Sequence, residues 1–255
     1  MAKKIKVSRK KIKQKDEFIT FTDQVIDWFN KNRNLAYGII GGAVLALALL
    51  SFVNYMVRSR RAQADRLLVE AFSILNTPLA SELTQASILQ GAKNYSTQEE
   101  RADEAIKKLS EVIKRFGRSG AGLEARFHLG EVYLSKRDYA KSLEAYQEFL
   151  KHLGAGSSSA AILEVPAYLG MAKAYYSSGD LKNAQIYFQK VLDSKQDAYL
   201  AEATLGLARV LINTGKNDEA KEKLEMLSKN YPGSIYDQLA KIEMSKLSSG
   251  EKSEK

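Results

Sequence analysis

The hydrophobic and polar positions divide the chain into three parts with different patterns. The first 33 residues are polar and rich in lysine. They are followed by 24 residues without a charge, Asn34 to Val57, and then by a long region in which apolar residues recur at helical spacing. Alternating runs of β-branched residues are rare, and the chain has only three prolines. This pattern predicts an all-α protein.

The charge-free run predicts one transmembrane helix at residues 34–57. In a helix, 24 residues cover about 36 Å, which exceeds the roughly 30 Å of hydrocarbon in a bilayer. A cleaved signal peptide is the nearest alternative. Its apolar region would be shorter and would end in small residues, whereas this run ends in Tyr55, Met56 and Val57. We therefore expect an uncleaved signal anchor.

The residues before this run divide into two segments. Residues 1–15 form a lysine-rich arm that we expect to be disordered. In residues 16–33 the apolar positions fall at helical spacing, at Phe18, Phe21, Val25, Trp28 and Phe29. This spacing predicts an amphipathic helix in the membrane interface, in contact with lipid. The alternative is a simple extension of the transmembrane helix into water.

Lysine and arginine counts predict the orientation of the anchor. Residues 1–33 carry ten, and the twenty residues after the span carry four. Because basic flanks stay on the cytoplasmic side, we expect a cytoplasmic N-terminus and a large domain outside the cytoplasm. The twenty nearest residues on each side give three against four, so the prediction depends on counting the whole tail.

Within the span, small residues recur every four positions, at Gly38, Gly42 and Ala46. Such a ridge lets two helices approach closely. The spacing indicates a span interface through which the chain can form a homo-oligomer or dock on another membrane helix.

After residue 120, three stretches share one pattern of small and large residues. The small positions lie on two successive helices of each stretch: Gly130 and Ser142, Ala172 and Ala184, Ala208 and Ala220. Gly179-Asp180 and Gly215-Lys216 occupy the turn between the helices. These stretches resemble the tetratricopeptide repeat, a 34-residue helix-turn-helix unit whose helices cross at small residues. The resemblance implies a helical solenoid, because each pair must cover the apolar face of the next.

The repeat spacing defines the remaining boundaries. Gly130 and Ala172 are 42 residues apart and Ala172 and Ala208 are 36 apart, which indicates a Gly/Ser-rich insertion at 154–160. A more divergent first unit is predicted to have helices at 62–75 and 102–116, with a short helix near 83–90. The predicted divisions are a first repeat helix and loop at 58–97, repeats at 98–233, a capping helix at 234–247 and a disordered tail at 248–255.

Composition narrows the classes of function. Of the net charge of +9, residues 1–57 account for +6, with ten basic and four acidic residues, which leaves +3 for the domain. We therefore expect no nucleic-acid partner. The chain has no cysteine, and its two histidines, His128 and His152, lack the spacing of a metal or catalytic motif. We expect no enzyme activity, no metal and no cofactor.

Binding of protein or peptide partners is the function that this pattern favours. In stacked repeats the first helix of each pair lines a concave groove. The residues predicted to line it are Phe127, Glu131, Leu134, Leu169, Lys173, Tyr176, Leu205, Arg209 and Ile212. The alternative is that the capping helix or the first unit covers several of them.

The whole layout resembles single-span bacterial inner-membrane proteins with a C-terminal tetratricopeptide domain, including the ancillary subunit of the Sec translocon. That resemblance implies a periplasmic scaffold that assists translocated or envelope proteins, with translocon subunits or periplasmic chaperones as partners. Residues 230–234 also resemble repeats of envelope proteins in outer-membrane assembly and cell division, which usually have lipidated or cleaved N-termini. The chief alternative is a cytoplasm-facing adaptor or assembly factor. One such group carries a cysteine-bearing metal module, which the absence of cysteine disfavours.

Overall fold

The computed structural model describes residues 21–83, 93–154 and 160–253. The chain divides into two compact units, Met1–Arg60 and Arg61–Lys255. The predicted basic arm at 1–15, Phe18, most of the predicted short helix at 83–90, and residues 155–159 of the predicted insertion lie outside the described residues.

The first unit contains helix α1 (residues 21–31) and the larger part of α2 (Arg33–Leu75). A one-residue turn at Asn32 separates them, and the Asn32 side-chain amide donates to the Trp28 carbonyl over 3.0 Å. The rings of Phe29 and Tyr37 meet edge to face, with centroids 5.6 Å apart. Helix α2 is long and apolar enough to cross a membrane, and its apolar side chains between Tyr37 and Val57 are exposed, whereas Ala36 is buried.

The predicted interface within the span is open in this unit. A Cβ built at Gly38 or Gly42 would have no neighbouring atom within 4 Å, and Ala46 is exposed. Self-association through this ridge therefore stays a prediction.

The second unit is a series of antiparallel helix pairs. The last part of α2 packs on α3 (Gln98–Phe116) through Ala64, Leu68 and Leu109. Three further pairs and a final helix follow: α4 (Gly120–Ser135) with α5 (Tyr139–Leu153), α6 (Glu164–Ser178) with α7 (Leu181–Asp193), α8 (Asp197–Asn213) with α9 (Asn217–Asn230), and α10 (Ile235–Ser253). Two boundaries differ from the predictions. Helix α3 begins four residues before 102, because Thr97 caps it, and α10 continues past 247 to Ser253.

The loop between α2 and α3 is tied back to α3. Leu79 and Tyr95 form an isolated bridge, and a short 3-10 helix follows at Ala80–Glu82. Tyr95 donates its hydroxyl proton to Glu104 over 2.7 Å, and Arg101 donates to the Thr77 carbonyl over 2.9 Å. Both contacts join the loop to α3.

The helices of each pair cross at the small residues that the sequence indicated. Ala172, Ala184, Ala208 and Ala220 are completely buried. In the pair formed by α4 and α5, the buried Ser142 takes the alanine position. Its hydroxyl donates to the Gly130 carbonyl over 2.8 Å. This bond satisfies a polar group that would otherwise be buried without a partner.

Neighbouring pairs meet where an aromatic ring of one lies against a glycine of the next. The Tyr146 ring on α5 lies between Gly130 on α4 and Gly170 on α6, so that a Cβ at either glycine would overlap the ring. Phe188 on α7 lies in the same way against Gly206 on α8. The spacing analysis did not single out Gly170 and Gly206, which precede the crossing alanines by two residues.

The turn inside each pair requires a left-handed residue. Gly179 and Gly215 occupy this position with φ of 86° and 76°. In the pair formed by α4 and α5 the same position is held by Arg137, with φ of 60°. The next residue caps the second helix in two of these turns: Asp138 accepts from the Lys141 amide over 3.3 Å, and Asp180 accepts from the Asn183 amide over 3.1 Å.

Helix α10 closes the stack through a cap at its first turn. Ser234 Oγ accepts from the Asp237 amide over 3.1 Å, and Asp237 Oδ2 accepts from the Gly233 amide over 2.9 Å. Asp237 is buried and also pairs with Lys241 over 2.9 Å. The Lys241 ammonium, and after it the Gly233 amide, lower the pKa of this carboxyl to about 2.

The aromatic–glycine contact yields a stability prediction. Gly170→Ala places a methyl group on the Tyr146 ring, which is held in the core and cannot move away cheaply, so we expect a loss of about 1–3 kcal/mol in the free energy of unfolding. Denaturant unfolding of the purified protein measures it. Gly154→Ala is the matched control, because its Cβ has no neighbour within 4 Å. Equal stability of both variants would show that the ring does not pack there.

The cap of α10 yields a pH prediction. Because the pKa of Asp237 is about 2 in the folded protein, below its ordinary value of 3.8, the carboxylate stabilises the fold above about pH 4. That contribution is lost as pH falls through 2. The melting temperature of the wild-type protein should therefore be higher than that of Asp237→Asn at pH 7, and this difference should disappear near pH 2. The exposed Glu222→Gln is the control, and a pH-independent difference would refute the assignment.

Candidate functional site

One cleft in the second unit gathers side chains from several helix pairs. It has a volume of about 600 Å³, which is within the usual range for binding pockets. The C-terminal ends of α4 and α6, the middle of α8 and the first turns of α10 supply most of its walls. Its lining residues are Leu134, Ser135, Arg137, Tyr139, Lys173, Tyr176, Ser177, Phe188, Glu202, Leu205, Gly206, Arg209, Tyr236 and Leu239.

Five of the nine residues predicted to line a groove meet in this cleft. They are Leu134, Lys173, Tyr176, Leu205 and Arg209. Of these, Leu205 is 4% exposed and therefore belongs mainly to the floor.

The structure places the other four predicted residues elsewhere. Phe127 and Leu169 are 4% and 5% exposed, because both side chains pack in the core between helices. Phe127 packs edge to face on the rings of Tyr146 and Phe149. Glu131 is exposed and bonded to His128, and Ile212 is half-buried among the helices. The three helices that helical spacing predicted all contribute to the cleft, but only some of the predicted residues on each helix reach it.

Ion pairs across the cleft join elements that are distant in sequence. Lys173 on α6 pairs with Glu202 on α8 over 2.5 Å. Arg209 Nε on α8 donates to Glu243 Oε1 on α10 over 3.0 Å, and Glu243 is only 13% exposed. Partly exposed ion pairs contribute only about 0–1 kcal/mol to stability. We therefore infer that their main effect is to fix the positions of the charged groups. The Nη groups of Arg209 carry four further donors.

Aromatic side chains supply the apolar part of the lining. Tyr176 accepts a hydrogen bond from the Asn213 amide over 3.1 Å, which holds its hydroxyl at the end of α8. Tyr236 also lines the cleft, and burial, with a smaller effect of Glu202, raises the pKa of its phenol. Both rings combine an apolar face with a hydroxyl that can donate or accept.

The sequence analysis missed several lining residues. Arg137 and Tyr139 belong to the turn and the first residue of α5, and Tyr236 and Leu239 belong to α10. The turn could have been found from the alignment of Arg137 with Gly179 and Gly215. The wall formed by α10 required the tertiary structure, because the sequence left open whether that helix covers the groove or borders it.

The histidines make structural contacts. His128 Nδ1 lies 2.6 Å from Glu131 Oε2, and its ring packs edge to face on Phe72 and Phe127. His152 Nδ1 lies 2.8 Å from the Glu148 carbonyl at the end of α5. Among the described residues, no group of three or more His, Asp or Glu side chains is arranged to hold a metal ion.

Comparisons with known proteins agree with this architecture. A family model described as a tetratricopeptide repeat matches residues 97–160, and one described as a tetratricopeptide repeat-like domain matches residues 164–240. No curated protein of similar sequence was found.

Several solved structures are similar in part. A crystal structure of YrrB, described as a TPR protein with an unusual peptide-binding site, has 18% identity and a TM-score of 0.41 over 52% of this chain and 61% of its own. BtubC (BKLC) from P. vanneervenii has 19% identity and a TM-score of 0.45 over 51% of this chain and 56% of its own. MamA has 18% identity and a TM-score of 0.44 over 66% of this chain and 94% of its own. The first two matches each span less than two thirds of the matched protein.

The two family models together extend from α3 to α10, and the helix pairs there cross at the small residues expected of the repeat. Residues 97–160 and 164–240 therefore carry tetratricopeptide repeats, which form a helical solenoid of the kind that protein-interaction scaffolds use.

Proposed function

We propose that this protein is a membrane-anchored protein-binding scaffold. The observation that carries the proposal is the open cleft of about 600 Å³, in which Tyr176 and Arg209 lie on neighbouring repeats. Aromatic and arginine side chains dominate the energetics of many protein interfaces. The ion pairs Lys173–Glu202 and Arg209–Glu243 hold the charged groups in place before a partner arrives.

The anchor in this proposal is the charge-free part of α2, residues 34–57. Apart from Ala36, its apolar side chains are exposed in the first unit, which is unfavourable in water and favourable in a bilayer. Trp28 and Phe21 on α1 are also exposed, which supports contact of this helix with lipid at the interface.

The location in this proposal is the bacterial inner membrane. The N-terminus is cytoplasmic and the repeats face the periplasm, where they assist translocated or envelope proteins. Translocon subunits and periplasmic chaperones are the partner classes. The support is the ten-to-four lysine and arginine count and the resemblance of the layout to the ancillary Sec-translocon subunit.

Topology gives the first test. If the repeats are periplasmic, alkaline phosphatase fused after Lys255 should be active, and green fluorescent protein fused there by the Sec route should be dark. Protease added to spheroplasts should degrade the repeat domain together with a periplasmic marker. A repeat domain that survives while the marker is cleaved would instead establish the cytoplasm-facing adaptor.

Partner capture gives the second test. Changing both Tyr176 and Arg209 to alanine should reduce crosslinks from intact membranes by at least tenfold, because the double variant removes the half-buried aromatic and guanidinium groups from the cleft. Helicity and membrane insertion should be unchanged. Arg118→Ala, on the exposed turn before α4, is the matched control.

A different outcome would relocate the binding site. Crosslinks that survive the double change but disappear when Gly38 and Gly42 become leucine would place recognition in the membrane span. Retention of every partner in both variants would refute a role for the cleft.

A further inference from the structure

The turn between α4 and α5 has an arginine at the position where the turns of the next two helix pairs have glycine. Arg137 has φ of 60°, a conformation that is unfavourable for side chains other than glycine. Gly179 and Gly215 occupy the corresponding positions without that penalty. A residue held in an unfavourable conformation is a reason to look for a function of its side chain.

The Arg137 side chain lines the cleft and is available for a ligand. Each of the other two lining cations has a carboxylate partner, since Lys173 pairs with Glu202 and Arg209 pairs with Glu243. Across residues 21–83, 93–154 and 160–253, Arg137 forms no ion pair. The lining contains three cations, of which Glu202 and Glu243 compensate two, so the positive charge that remains is that of Arg137.

We propose that the cleft binds an acidic peptide segment, one of whose carboxylates pairs with the guanidinium of Arg137. This inference rests on the proposed scaffold function and names the chemistry of its partner. Arginine is suited to the role because its planar fork can donate two parallel hydrogen bonds to one carboxylate. A carboxylate there would compensate a charge that the protein itself leaves unpaired.

The remaining lining requires apolar side chains in the same segment. Leu134, Tyr139 and Leu239 bring apolar surface into the cleft. A segment that alternates acidic and apolar residues therefore matches both parts of the lining. Nucleic acid fits less well, because the chain after residue 57 has a net charge of only +3 and Glu202 lies within the cleft.

Fluorescence anisotropy with the full-length protein in neutral detergent micelles tests the inference. The probe is a short labelled peptide of alternating glutamate and leucine with both ends blocked, and the matched probe has glutamine in place of glutamate. We expect the glutamate peptide to bind at least about tenfold more tightly, with an advantage that shrinks as salt is added.

Arg137→Gly is the decisive variant because it should weaken binding while relieving the backbone. We expect a loss of about five- to tenfold in affinity for the glutamate peptide, no change for the glutamine peptide, and an unchanged or higher melting temperature. Arg118→Ala should match wild type with both peptides. Equal affinity of wild type for the two peptides, or an unchanged glutamate affinity in Arg137→Gly, would overturn the inference.

Further outcomes separate this inference from the scaffold proposal. If both peptides bind equally and Tyr176→Ala weakens both, the cleft is a peptide site without acid preference; the scaffold stands and the inference fails. If neither peptide binds and crosslinks persist in membranes of the Tyr176 and Arg209 double variant, both fail. If phosphatidylglycerol vesicles displace the glutamate peptide from wild type but not from Arg137→Gly, the Arg137 guanidinium binds a lipid headgroup instead of a peptide, and the inference fails.

Discussion

Close approach of helices at residues without large side chains is the constraint on which the solenoid depends. The three pairs from α4 to α9 cross at small residues, and they meet one another where Tyr146 or Phe188 fits against a glycine. Because interiors are packed to near-crystalline density, an added methyl group at such a contact must displace an aromatic ring. The position of each first helix in the stack, and hence the wall of the cleft, is set by these contacts.

The cleft is a product of the stack rather than of any one repeat. Residues of α4, α6, α8 and α10 each contribute one part of the lining, and none of these helices forms a concave surface alone. The ion pairs connect α6 with α8 and α8 with α10, so charge placement and helix order are coupled. Anything that loosens the cap of α10 at Asp237 also moves Tyr236 and Glu243, which lie on the same helix.

The sequence predicted the helix pairs, their crossing residues and their glycine turns because all three follow from local periodicity and backbone geometry. Five of the residues that it predicted for a groove line the cleft, but Phe127 and Leu169 are buried, since a hydrophobic residue on a helix gives no sign of whether it faces open space or a neighbouring helix. Arg137 and Tyr236 were missed for a related reason. Their place in the cleft depends on how a turn and a terminal helix approach elements far away in sequence.

The longer spacing between Gly130 and Ala172 has a practical consequence. The extra residues enter before α6, whereas the cleft is lined by Lys173, Tyr176 and Ser177 near the other end of that helix. With a rise of 1.5 Å per residue, the 15 residues of α6 separate the two ends by about 22 Å. An epitope tag or a fluorophore inserted directly after Gly154 would thus enter the chain at the far ends of α5 and α6 and leave the lining of the cleft unchanged.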